Sequence, residues 1–110
     1  MLYQELAFLA RFKYRIYKRR HTKDLKKIFN WVFKVADQNN CYAQYDLVFF
    51  YEHGKGIEKD LQKAIFWCRE AAAQKNIEAQ YKLALCYENG DLTEKDLQEA
   101  IKWYLEAANK

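Results

Sequence analysis

From Leu61 onward the apolar residues Ala64, Ile65, Trp67, Cys68, Ala71 and Ala72 recur at helical spacing, while Gln62, Lys63, Arg69 and Glu70 take the other face. The pattern predicts an amphipathic helix. Upstream, Ala43, Leu47 and Tyr51 step by four and predict a second helix, and "GKGIEK" at Gly54 breaks the chain between the two. The whole arrangement then returns 36 positions later: Ala79, Leu83 and Tyr87 step by four, and "DLQKAIFWCREAA" at Asp60 becomes "DLQEAIKWYLEAA" at Asp96. Aligned without a gap, Asn40–Gln74 and Asn76–Lys110 share nineteen identities in thirty-five pairs. The same offset taken backwards places Asp24, Leu25, Trp31 and Ala36 in register with Asp60, Leu61, Trp67 and Ala72, and lays Leu6–Lys18 under Tyr42–Gly54. The chain therefore holds three units, the first diverged.

Self-similarity at this period is the mark of a solenoid. One helix pair cannot bury its apolar stripe alone, whereas stacked pairs bury a continuous core between them. Asp24, Asp60 and Asp96 each precede a helical pattern, where a carboxylate accepts first-turn N–H groups and offsets the helix dipole. Asn40 and Asn76 follow the second helix of a unit, where left-handed backbone is wanted at the C′ position. Short connections make successive helices antiparallel neighbours. The predicted fold is an all-α solenoid of three antiparallel helical hairpins, forming one domain over residues 1–110 with units at about 4–39, 40–75 and 76–110.

The segment "YAQYDLVFFYEHGKGIEKDLQKAIFWCREAAAQKN" resembles one Sel-one-like repeat, a relative of the tetratricopeptide repeat, through Ala43, Leu47, Tyr51, Gly54, Gly56, Asp60, Ala64, Trp67, Ala71 and Ala72. The third unit shows the same likeness through Ala79, Leu83, Tyr87, Gly90, Asp96, Ala100, Trp103, Ala107 and Ala108. The resemblance implies a right-handed alpha-alpha superhelix and a role in protein–protein interaction through the concave side. Departures are local. Val48 and Ala84 stand where the family often has glycine at the helix crossing, Asn40 and Asn76 replace the glycine that ends a unit, and Leu92 replaces the second loop glycine. The first unit has Lys18 and Arg20 in place of both loop glycines.

Composition narrows the chemistry. Hydrophobic residues make up 51% of the chain and aromatics 17%, enough for a continuous core, and the absence of proline lets helices run unbroken. Serine is absent, which removes serine-nucleophile hydrolases. The start "MLYQELAFLARF" lacks a basic leader-like opening, and no stretch approaches the roughly 20 apolar residues of a membrane span. Cys41, Cys68 and Cys86 are odd in number and lack a C-x-x-C pairing, so they are expected to fill helix interfaces in a reducing, cytoplasmic setting. The formal charge of +4 is unevenly spread: residues 1–36 carry ten Lys/Arg against two Asp/Glu, and residues 37–110 nine against thirteen.

No triad, phosphate loop or metal spacing accompanies the two histidines, His21 and His53, which fall in predicted turns, and no enzyme activity, cofactor or metal is expected. "ENGDLTEKD" at Glu88 is acidic but lacks the order of an EF-hand loop. A binding groove is the better candidate. Tyr42, Tyr45, Phe49 and Glu52 share one face of the middle unit's first helix; Glu78, Tyr81, Leu85 and Glu88 hold the same register in the third unit, and Leu6, Leu9, Lys13 and Ile16 in the first. A tyrosine-rich strip with acidic edges suits an extended or helical peptide carrying basic side chains; alternatively, these aromatics fill a tightly curled concavity. The second candidate is "RFKYRIYKRRHTK", in which Arg11, Arg15, Lys18, Arg19 and Arg20 could grip nucleic acid or an anionic membrane, cap the stack, or dock on the acidic part of a second copy. The last helix presents Ile101, Tyr104 and Leu105, which are either capped by their polar neighbours or met by another chain.

Overall fold

The structure, a computed structural model, describes residues 25–109. They form five helices: α1 (Leu25–Asp37), α2 (Cys41–His53), α3 (Leu61–Ala73), α4 (Ile77–Asn89) and α5 (Leu97–Ala108). Each packs on the next, α1 on α2, α2 on α3, α3 on α4 and α4 on α5. The hairpins α2–α3 and α4–α5 are the second and third units, and α1 is the second helix of the first. The expected partner of α1 lies outside the described residues, as do Asp24 and His21.

Local chemistry sets the helix ends. Asp60 Oδ1 accepts from the Lys63 N–H and Asp96 Oδ1 from the Glu99 N–H, both at 3.1 Å, the expected capping geometry. The expectation for Asn40 and Asn76 is corrected. Both have extended backbone and act as N-caps of α2 and α4, Asn40 Oδ1 accepting from Tyr42 and Ala43, and Asn76 Oδ1 from Ala79. The left-handed residues are Asn39 and Lys75, one position earlier, at φ 69° and 68°. A connection this short needs one residue to reverse the chain and the next to start the new helix, so one asparagine cannot serve both ends. His53 is likewise the last residue of α2 rather than a turn residue.

The stripes predicted for the core are buried. Ala43, Leu47, Ala64, Cys68, Ala71, Ala79 and Leu83 have no exposed surface, and Val48 and Ala84 are equally closed at the helix crossings. So many alanines let the helix backbones approach closely, which leaves the larger side chains to fill what remains. Trp67 and Trp103 are half-buried; Trp67 lies edge-on to Phe33 of α1, with ring centroids 5.9 Å apart. Tyr51 meets Phe29 at 5.5 Å in the same way, joining the first unit to the second. Cys68 and Cys86 are buried, Cys41 is half-buried, and all three are free thiols. Burial pushes the Cys68 thiol up to about 12, so it is uncharged and unreactive at neutral pH.

The loops after α2 and α4 are laced back alike. The Asp60 N–H donates to the Tyr51 carbonyl at 2.9 Å, and the Asp96 N–H to that of Tyr87 at 2.8 Å. Gly54 and Gly90 end the helices in left-handed backbone. The loops diverge one step on. A Cβ at Gly56 would stand 2.6 Å from the backbone carbonyl carbon of Leu25, so the loop can lie on the start of α1 only without a side chain there. Leu92 occupies that register in the third unit. Leu61, the counterpart of Leu25, is 42% exposed where Leu25 is 7%, and the loop still reaches α3 through Thr93, whose hydroxyl accepts from Arg69 at 3.3 Å.

Candidate functional site

All eight residues assigned to the groove keep accessible surface. Tyr42, Tyr45, Phe49, Glu52 and Leu85 are half-buried, Glu78 and Glu88 are exposed, and Tyr81 is 53% exposed. Helical spacing aligns Tyr45, Phe49 and His53 along α2: Tyr45 meets Phe49 edge-on at 5.0 Å, and Phe49 stacks on His53 at 6.5 Å. On α4, Tyr81 reaches forward to Tyr104 of α5, with ring centroids 5.6 Å apart.

Charge across this face is organised by a residue that sequence reasoning passed over. Lys82 Nζ lies 3.0 Å from Glu52 Oε1, joining α4 to α2, and the same ammonium sits 5.2 Å from the Phe49 ring centroid. One acidic edge of the strip is thus neutralised within the chain. Lys82 lies one position after Tyr81, off the strip's own register, so only the packing of two units brings it there. His53, which the sequence reading placed in a turn, instead extends this strip, and its spacing of four from Phe49 was legible.

The other acidic edge is set differently. The Tyr104 hydroxyl donates to Glu88 Oε1 at 2.5 Å, a short bond to a charged acceptor. Because the bond requires the phenol proton, it pushes Tyr104 up to about 12, with burial adding to the effect. The raised value means that this contact stabilises the fold fully below the ordinary tyrosine pKa of about 10 and is lost as pH climbs through 12. A tyrosinate absorbance titration of the wild type is expected to show a late-ionising ring that disappears in Tyr104→Phe and shifts downward in Glu88→Ala. Tyr51, raised by burial and then by Asp60, should stay late in both variants.

A cleft of about 750 Å³ continues from the end of the strip. Its lining includes Glu52 and His53 from α2, Leu61 from α3, and Lys59, Leu92 and Glu94 from the loops. Leu92, which replaces the loop glycine, is among the residues that line it. The basic candidates Arg11, Arg15, Lys18, Arg19 and Arg20, with the first unit's Leu6, Leu9, Lys13 and Ile16, lie outside the described residues. Among the described residues no helix is long and apolar enough to cross a membrane.

Among the described residues, five helices packed chiefly in succession, with repeated caps, loops and alanine-lined crossings, define a helical-repeat solenoid. The Sel1 repeat matches residues 41–76 and 77–110, and the chain belongs to the Sel1 repeat family. Proteins of this family are in general protein–protein interaction scaffolds and typically non-enzymatic. Among solved structures, the chain is similar to a Sel1 repeat protein from Oxalobacter formigenes at 42% identity and a TM-score of 0.75, over 79% of this chain and 36% of that one. A protective antigen of uropathogenic Escherichia coli strains, which displays an SLR fold, aligns at 30% identity and a TM-score of 0.78, over 97% of this chain and 22% of that one. Cysteine rich protein B of Helicobacter pylori shares the fold at 20% identity and a TM-score of 0.72, with 86% of each chain covered. The chain thus spans well under half the length of the first two. No curated protein sequence matches it significantly.

Proposed function

We propose that the chain is an adaptor that binds a peptide segment along the α2–α4 face, the concave side of the solenoid, with Tyr42, Tyr45, Phe49, Tyr81 and Leu85 as the contact strip. The observation that carries this reading is the accessibility of the strip: large aromatics whose only task was to fill a closed concavity would be buried, yet Tyr81 is 53% exposed and Tyr42, Tyr45 and Phe49 keep open surface. The adjoining cleft gives the peptide a place to end, with Glu52, Asp91 and Glu94 favouring a basic side chain there. Lys82 competes for Glu52, so a basic peptide residue engages by displacing that ammonium.

Peptides selected from a random displayed library against the wild-type chain provide the probe. Tyr45→Ala combined with Phe49→Ala is expected to weaken their binding roughly 30-fold or more, the range of aromatic hot spots, with the helical circular dichroism unchanged. Reversing Arg11, Arg15 and Arg19 to Glu should leave that affinity within a few-fold. Loss of binding in the basic triple variant, with binding kept in the aromatic pair, would assign the peptide to the wrong face.

A further inference from the structure

Tyr51 and Tyr87 hold the same register near the ends of α2 and α4, but only Tyr87 has its hydroxyl engaged. Arg69 Nη2 of α3 donates to the Tyr87 hydroxyl at 3.1 Å and to the Thr93 hydroxyl at 3.3 Å, and its guanidinium lies 5.9 Å from the Tyr87 ring centroid. α3 thus lends an arginine that joins the next unit's tyrosine to its loop. One unit earlier, the register puts Phe33 and Ile57 where Arg69 and Thr93 stand. Phe33 packs instead on Phe29 and Trp67, with ring centroids 5.9 Å apart in each pair. Tyr51 is 7% exposed, yet among the described residues its hydroxyl has no hydrogen-bond partner. A phenol so enclosed ordinarily finds one. A pocket of about 320 Å³ lies there, with Tyr51, Ile57 and Phe29 among its walls.

We propose that this pocket takes the guanidinium of an arginine side chain on a partner protein, in the place that Arg69 fills one unit on. The Tyr51 hydroxyl can accept an N–H there as the Tyr87 hydroxyl does. Glu58 and Asp60 also line the pocket, at the register of Glu94 and Asp96, and supply negative charge. A guanidinium carries several N–H groups in one plane, so it can serve the hydroxyl and a carboxylate together while resting on the ring. Lys59 and Lys63 oppose it. Lys63 Nζ lies 5.7 Å from the Tyr51 centroid, where it holds the ring face without bonding the hydroxyl, and it stands at the register of Glu99. Both lysines are exposed and neither has an ion pair among the described residues, so each can swing into solvent at little cost. The occupant in the third unit is itself a side chain of a folded protein, which makes a partner's side chain the like-for-like ligand. The pocket shares Lys59 with the cleft but none of the aromatic residues of the α2–α4 strip, so it does not depend on the peptide reading above.

Chemical-shift titration of the whole isotope-labelled chain with Nα-acetyl-arginine methylamide, followed at the backbone amides of Tyr51 and of residues 57–63, tests this. Saturable shifts with a Kd of about 1 mM are expected, and the capped lysine analogue should bind roughly tenfold more weakly. Tyr51→Phe keeps the ring against Phe29 and removes only the acceptor; it should weaken binding roughly fivefold or more, with helical circular dichroism unchanged. Lys63→Glu restores the charge found at Glu99 and favours the first turn of α3, so it should fold and bind roughly tenfold more tightly. Free L-arginine should bind more weakly than the capped form, because its α-carboxylate meets Glu58 and Asp60. A wild type with no saturable shift at ligand concentrations about tenfold above the expected Kd overturns the proposal. So do an equal response to the capped lysine, unchanged binding in Tyr51→Phe, and a Lys63→Glu variant that gains nothing. Tighter binding of the free amino acid overturns it as well, since a partner's side chain would then not be the occupant.

Discussion

Gly56→Ala is expected to destabilise the protein by roughly 3 kcal/mol, while Gly54→Ala two residues away should cost only about 1 kcal/mol. Both glycines have left-handed backbone, at φ 66° and 73°, so both alanines incur a similar conformational strain. Their surroundings differ. An added Cβ at Gly54 meets the Lys59 side chain and backbone at 3.3 Å, a contact that a small shift relieves. At Gly56 it meets backbone atoms of Leu25 and Lys26 at 2.6 and 2.7 Å, and the loop must lift off α1 to accommodate it. Lifting it uncovers Leu25 and loosens the contact between the first and second units. Urea denaturation of the two variants measures the difference directly. Equal losses would mean that the close approach at Gly56 contributes nothing beyond backbone strain.

Leu47→Ala is the second large effect, expected to cost about 2–5 kcal/mol. Leu47 is fully buried at the centre of α2, in the core that joins the first unit to the second and third. Neighbouring alanines such as Ala43 and Ala64 have no larger rotamer with which to refill the space, so the lost side chain leaves most of its volume as a cavity. Leu61→Ala provides the control. It removes the same atoms from a residue 42% exposed, and should fall within about 1 kcal/mol of wild type. Because a short solenoid is held by nearest-neighbour interfaces, Leu47→Ala should also reduce the cooperativity of unfolding, seen as a lower denaturant slope. A Leu47→Ala loss no larger than that of Leu61→Ala would show that the stack closes around the missing side chain.

The sequence by itself determined the repeat, the helix pairs, their aspartate caps and the core stripes, because each rests on short-range periodicity that a 36-residue register displays twice. It also determined which residues share the α2 and α4 faces, since Tyr45, Phe49, Tyr81 and Leu85 follow from helical spacing alone. The caps at Asn40 and Asn76 were misjudged because residue type permits both a left-handed turn and an N-cap, and only the backbone path chooses between them. Tertiary structure alone decided where different units touch. Lys82 on Glu52 and Phe49, Tyr104 on Glu88, and Gly56 against Leu25 depend on helix crossings that no spacing within one helix encodes. The buried Gln44 shows the same limit. It lies beside the core stripe as an ordinary polar residue in sequence, yet in the fold its amide donates to the Ala36 carbonyl and its oxygen accepts from Gln74 at 2.7 Å. Periodicity reports which side of a helix a residue occupies, whereas its partner is set by the distance and angle at which the next helix arrives.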